Sequence, residues 1–143
     1  MKTWPKVFTE QLARECQKNP ERIANTAYQS ATLGPRLGNT MPGDGFRFRG
    51  RGFIQITGRS NYTKYSKLIE HNIVDNPDLA LKPEVSALIA AAFWRETGCN
   101  RIADTGGHDA VEAITRKVNG GTHGLDERCR YFLLAEQALG RPS

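Results

Sequence analysis

The clearest pattern along the chain is Val85, Leu88, Ile89, Ala92 and Phe93, apolar positions at the i, i+3, i+4 spacing of one helical face. Gly98 follows where a helix stop belongs, so a helix is predicted over 83–97. A similar stripe (Leu125, Cys129, Phe132, Leu133) predicts a helix over 125–139, closed by Gly140 and Pro142. Residues 9–17 read as a short helix with Thr9 as N-cap and Glu10 in its first turn. Asn19-Pro20-Glu21 sets a capping residue before a proline at the first helical position. That start predicts a helix over 20–28 burying Ile23, Ala27 and Tyr28. Further helices are predicted over 60–71 and 109–118, the latter with Asp109 and Glu112 as a capping box. Residues 33–45 hold four glycines and two prolines and read as a loop long enough to be functional. Strand signal is confined to 46–57, so the fold class is mainly α with one short β-like segment. Without repeats or low-complexity tracts, residues 1–143 read as a single domain.

Composition adds limits. Of 143 residues, 38% are hydrophobic and 24% charged, a balance suited to a globular core and unlike disordered chains. No apolar run approaches the ~20 residues of a membrane-spanning helix, and the first residues lack a signal-peptide pattern. The expected place of synthesis is therefore the cytoplasm, and no membrane partner is predicted. A net charge of +5 favours polyanionic partners, whether nucleic acid, anionic membrane or an acidic cell wall. Cys16, Cys99 and Cys129 are expected as reduced, mostly buried thiols, with a Cys99–Cys129 bridge as the alternative. His71, His108 and His123 form no metal-binding spacing, so neither metal nor cofactor is predicted.

If 46–57 is extended, Arg47, Arg49 and Arg51 share one face that continues into Phe53, Gln55 and Thr57, while Ile54 and Ile56 face the core. Guanidinium, amide and hydroxyl groups beside an apolar backing suit a groove for a polar polymer. An edge strand with solvated arginines gives the same alternation. An RNA-binding Arg-Gly segment is a third reading, although such segments normally repeat and this one occurs once between helices. The glycines do not form a phosphate loop, since no GxxxxGK[ST] is present.

The block Arg49-Gly50-Arg51-Gly52-Phe53-Ile54-Gln55-Ile56-Thr57-Gly58-Arg59-Ser60-Asn61-Tyr62 resembles the signature of the family-nineteen glycoside hydrolases, aromatic-x-GRG-x-IQ-[LI]-[ST] followed by an NY pair. Asn19-Pro20-Glu21-Arg22-Ile23-Ala24-Asn25, Gly43-Asp44-Gly45, Asn76-Pro77 and Ala91-Ala92-Phe93-Trp94 resemble that family's phage and prophage branch. Val118-Asn119-Gly120-Gly121 and Gly124-Leu125-Asp126-Glu127-Arg128 do so as well, in the same order.

The resemblance implies a lysozyme-like, mostly helical fold with a cleft for N-acetylated sugar chains. It implies hydrolysis of β-1,4 linkages with inversion, in chitin or in peptidoglycan. That chemistry needs a protonated carboxyl and a carboxylate about 6.5–9.5 Å apart, so that a water fits below the anomeric carbon. By the same match Gln55, Asn61, Tyr62 and Asn119 are substrate-binding, Thr57 positions the attacking water and Arg128 steadies the carboxyl network. The Gln55–Asn61 region and the Asn119 turn are expected to line one trough. Each residue also has a plainer role: strand threonine for Thr57, helix-start residue for Asn61, turn signal for Asn119, solvated charge for Arg128.

One departure stands out. The family's general acid is the Glu of a His-Glu-[ST]-Gly motif, and this sequence contains none. The chain is thus expected either as part of a longer enzyme or as a shortened relative that binds saccharide without cleaving it. Glu10, Glu15 and Glu21 are expected in surface ion pairs or helix starts, and Asp44 to hold loop arginines. Apolar surface at Trp4, Phe8 and Trp94 is expected to lack partners and to promote self-association. Expected partners are peptidoglycan or chitin oligosaccharide and no nucleic acid, with access to the wall through a holin or a secretion machine.

Overall fold

The computed structural model describes residues 7–140, so Trp4 and Pro142 lie outside the described residues. It is mainly helical: α1 (Glu10–Cys16), α2 (Pro20–Tyr28), α3 (Gly34–Leu37), α4 (Asp44–Arg47), α5 (Arg59–Leu68), a 3-10 helix (Pro77–Leu81), α6 (Pro83–Glu96), α7 (Cys99–Ala103), α8 (Gly107–Asn119) and α9 (Leu125–Ala138). The chain falls into two compact units, one ending at Ala92 and the other beginning at Phe93, within α6. Among the described residues no helix is long and apolar enough to cross a membrane.

In the first unit the predicted caps form. Thr9 Oγ1 accepts from the Leu12 amide and Asn19 Oδ1 from that of Arg22, satisfying amide donors at helix starts. Phe8, Cys16 and Ala27 are buried together, with Val7, Leu12, Ala13 and Tyr28 packed on them. Phe8 is therefore not short of partners, contrary to expectation, because α1 and α2 enclose it. Ile23 departs from the predicted buried face at 41% exposed, since α2 turns Ala24 and Ala27 inward. Closure of α2 on α4 is fixed by the Asn25 side chain, whose Oδ1 accepts from the Phe46 amide at 2.7 Å.

Segment 33–45 is not a plain loop, for it carries α3 and the start of α4. Nor is 46–57 a strand. The segment is helical to Arg47, and its β character is a single antiparallel bridge between Arg51 and Ile56. Gly52 sits at φ +74° in the turn, where a Cβ would meet the Ala80 carbonyl oxygen and Ser86 Oγ, both at 2.9 Å. Only glycine combines that backbone with so close an approach.

In the second unit α8 begins at Gly107, earlier than predicted, and its N-cap is Gly106 with no side-chain cap. Asp109 thus lies inside the first turn rather than before it, and the expected capping box does not form. No residue of α9 is fully buried, and Tyr131, Leu133, Leu134 and Leu139 are exposed. Trp94 is half-buried and its indole N–H donates to Asn100 Oδ1 at 2.6 Å. All three cysteines are free thiols, Cys16 and Cys99 buried and Cys129 half-buried, so the Cys99–Cys129 bridge is not formed.

Candidate functional site

The turn from Arg51 to Ile56 is built from inside. Arg51 is 4% exposed and donates to Asp78 (2.9 Å), to the Arg47 carbonyl oxygen (2.7 Å) and to the Tyr62 hydroxyl (3.1 Å). Tyr62 in turn donates to the Arg49 carbonyl oxygen at 2.9 Å, and its ring packs against Phe48 at 5.2 Å between centroids. Burial pushes the Tyr62 phenol up, partly opposed by Arg51, which keeps the hydroxyl protonated as a donor. On the far side Ser86 Oγ accepts from the Phe53 amide at 2.6 Å. The buried Arg51, paired with the exposed Asp78, and the buried Ser86 thus clamp the turn to the 3-10 helix and to α6.

Asp44 forms a second anchor. It is buried, accepts from Arg59 Nε at 2.9 Å and from the Met41 amide at 3.0 Å. Burial alone would raise its pKa, but the Arg59 hydrogen bond and charge, with the Met41 and Thr40 amides, outweigh that and lower it. Asp44 therefore holds Arg59 at the start of α5, not a loop arginine. Glu10 pairs with Arg14 and Glu15 with Arg22 at the surface, as expected for such glutamates.

The arginines do not share one face. Arg51 is internal, Arg47 donates to the Val74 and Asp75 carbonyl oxygens, and Arg49 lies over the Phe46 ring at 4.2 Å. The alternation fails because α4 and the tight turn replace the extended backbone. Ile56 is buried as expected, whereas Ile54 is only half-buried.

Against this frame Gln55 is exposed at φ +53°, a left-handed conformation uncommon for a residue with a side chain. Its Nε2 donates to the Gly52 carbonyl oxygen at 2.9 Å, leaving Oε1 as an acceptor. Thr57 Oγ1 donates to the Gln55 carbonyl oxygen at 3.0 Å, so its lone pairs remain for a donor such as water. Both side chains lie on Gly50, where a Cβ would stand 2.9 Å from Gln55 Oε1 and 3.2 Å from Thr57 Oγ1. Asn61, exposed at the start of α5, donates to the Thr57 carbonyl oxygen at 2.8 Å. Gln55, Thr57 and Asn61 are thereby brought together. Tyr62 is not among them: at 0% exposed, with its hydroxyl engaged on both sides, it supports the turn and cannot touch a ligand.

Beside Gln55 runs an open groove of about 380 Å³, lined by Pro20, Ile23, Ala24, Ala27, Tyr28, Arg49 and Gly50, with no carboxylate among them. No local pattern in α2 marks it as the groove wall; the exposed Ile23 becomes intelligible only there.

In the second unit Asn119 ends α8, and Gly120 reverses the chain at φ +71°. Asn119 Nδ2 and Arg128 both donate to the His123 carbonyl oxygen, at 3.2 and 2.6 Å. These two predicted residues converge on one acceptor, both exposed.

A family model described as "Chitinase class I", that of glycoside hydrolase family nineteen, matches residues 21–114, spanning the signature turn, the groove wall and most of α8. The chain belongs to glycoside hydrolase family nineteen. It is 38% identical over 133 residues to a glycosyl hydrolase family nineteen domain-containing protein of Haemophilus influenzae, covering 91% of this chain and 60% of that protein. It is also 38% identical over 103 residues to an acidic endochitinase of Petunia hybrida, covering 60% of this chain and 39% of that one. The family-nineteen chain thus spans only part of the length of these relatives, and the mainly helical architecture agrees with the fold the family implies.

Proposed function

We propose that this chain forms the sugar-holding part of a glycosidase that cleaves β-1,4 linkages in N-acetylated amino-sugar polymers, with peptidoglycan favoured over chitin and a phage-type wall-lysing role. The observation that carries the reading is the Gln55–Thr57 pair. An exposed amide oxygen and a hydroxyl with free lone pairs are held side by side over Gly50 by a buried polar scaffold. Such preset groups suit a saccharide, whose hydroxyl and acetamido groups need directional partners and whose rings lie on apolar surface such as Tyr28 and Ile23. In an inverting reaction a protonated carboxyl gives its proton to the leaving oxygen, and a carboxylate takes one from water. Thr57 would accept a hydrogen bond from that water, and Gln55 and Asn61 would hold sugar. For the second unit, family resemblance alone gives Asn119 a sugar-binding role and Arg128 a role in the carboxyl network.

A second reading, saccharide binding without hydrolysis, draws support from the carboxylates. Glu10, Glu15 and Asp44 are each tied to an arginine, and none lines the groove beside Gln55. Turbidity of outer-membrane-stripped bacterial cells, measured with a pull-down on the same cells, separates the two. Lysis supports the hydrolase, and binding without lysis supports the second reading. Failure to bind peptidoglycan or chitin at all would reject both. Gln55→Ala is expected to abolish binding while circular dichroism stays unchanged.

A further inference from the structure

Four arginines surround the signature turn, and their charges meet different fates. Arg51 is paired with Asp78 and Arg59 with Asp44, while Arg47 donates to the Val74 and Asp75 carbonyl oxygens, none of which lines the groove. Arg49 alone of the four lines the groove beside Gln55. Its guanidinium lies over the Phe46 ring at 4.2 Å, and Nη1 donates to the Phe46 carbonyl oxygen at 3.0 Å. Stacking uses the face of the guanidinium, whereas hydrogen bonds are made in its plane. The ring therefore fixes the orientation of Arg49 without consuming its remaining in-plane N–H groups. No carboxylate is among the groove-lining residues, so none of them pairs with the Arg49 charge.

We propose that Arg49 determines substrate class, selecting amino-sugar polymers that carry carboxylates over neutral ones. The inference rests on the reading of Gln55 as a sugar contact. Chitin offers hydroxyl and acetamido groups only, which give Arg49 neutral hydrogen bonds. Peptidoglycan carries a lactyl ether on alternate sugars, ending in a carboxyl or in a peptide with carboxylates of its own. A carboxylate matches the planar fork of an arginine through two parallel hydrogen bonds. The residue thus reads a substituent while Gln55 reads the sugar.

The experiment compares affinity of this chain for two probes by calorimetric titration. One is the tetramer of N-acetylglucosamine; the other is a peptidoglycan tetrasaccharide with free lactyl carboxylates. The wild type is expected to prefer the carboxylated probe by about five- to tenfold at low salt, the scale of a partly exposed charge-assisted pair. The preference should shrink toward parity at about 0.5 M salt, where the screening length falls to a few ångströms. Arg49→Met should bring the ratio of the two affinities close to one, and Arg49→Lys should keep part of it, since charge remains without the fork. Equal wild-type affinities, or an unchanged ratio in Arg49→Met, would overturn the proposal. Should the methionine variant fail to fold, the wild-type ratio and its salt dependence decide. Gln55→Ala tests the underlying reading separately, because it should weaken both probes together. Wild-type binding to neither probe would overturn both.

Discussion

The two units are both helical, yet different side chains hold them. In the first, buried or partly buried polar groups find partners: Arg51 with Tyr62 and the exposed Asp78, Asp44 with Arg59, Ser86 with the Phe53 amide, Asn25 with that of Phe46. In the second, the fully buried side chains are small (Cys99, Ala110, Thr115), and α9 buries none of its residues completely. Thr115 Oγ1 is shut off from solvent with no hydrogen-bond partner, beside an apolar cavity of about 480 Å³. A satisfied polar network resists change because removing one member strands the others, whereas a loosely packed helix pair tolerates substitution. The comparison teaches that a short turn with exposed polar side chains in fixed positions needs more internal restraint than a pair of packed helices.

The largest effect is expected from breaking that restraint. Arg51→Met should destabilise the protein by about 3–4 kcal/mol, since it leaves the Tyr62 hydroxyl and the Arg47 carbonyl oxygen without their donor in the interior. Urea denaturation followed by circular dichroism measures it, and a loss below about 1 kcal/mol would show that the turn is not clamped as described. Asp44→Asn is expected to cost less, about 2–3 kcal/mol at neutral pH, because Arg59 remains partly solvated. Its pH dependence has a definite sign. The folded-state pKa of Asp44 is lowered, so its contribution is complete above the unfolded value of about 3.9 and is lost as pH falls through the folded one. The gap in unfolding midpoint between wild type and Asp44→Asn should therefore close in acid.

Smaller effects, with a change of sign, are expected in the second unit. Thr115→Val keeps the shape of the side chain and deletes the orphaned hydroxyl, and should stabilise by about 1 kcal/mol. If it destabilises instead, the hydroxyl has a partner and the contrast between the units weakens. Leu134→Gln on the exposed side of α9 should stay within about 0.5 kcal/mol by thermal melting, as for other surface substitutions.

Much of the helical framework was legible because its signals are local. Thr9 and Asn19 cap the helices they precede, and Val85, Ile89 and Ala92 are buried at the predicted spacing. The short helices α3, α4 and α7 were not legible, since four or five residues carry no periodicity to read. The strand expected over 46–57 failed for a different reason. Alternating arginines resemble a half-exposed strand, but Arg51 is held inside by the Tyr62 hydroxyl, 11 positions away, and by the Arg47 carbonyl oxygen. The resemblance to the family singled out Gln55, Thr57, Asn61, Asn119 and Arg128 for one trough; the structure groups the first three around the turn and the last two on the His123 carbonyl oxygen. It also placed Tyr62 on the ligand side of the turn, whereas that side chain is interior.

The left-handed backbone of Gln55 carries an evolutionary consequence. Glycine would adopt that conformation with less strain, by about 1 kcal/mol, and would erase the amide. Sequences drifting under selection for robustness alone would be drawn toward glycine at this position, while selection for the ligand would hold the glutamine. If Gln55 holds sugar as proposed, the identity of residue 55 across natural variants is thus a gauge of whether a lineage still binds saccharide there.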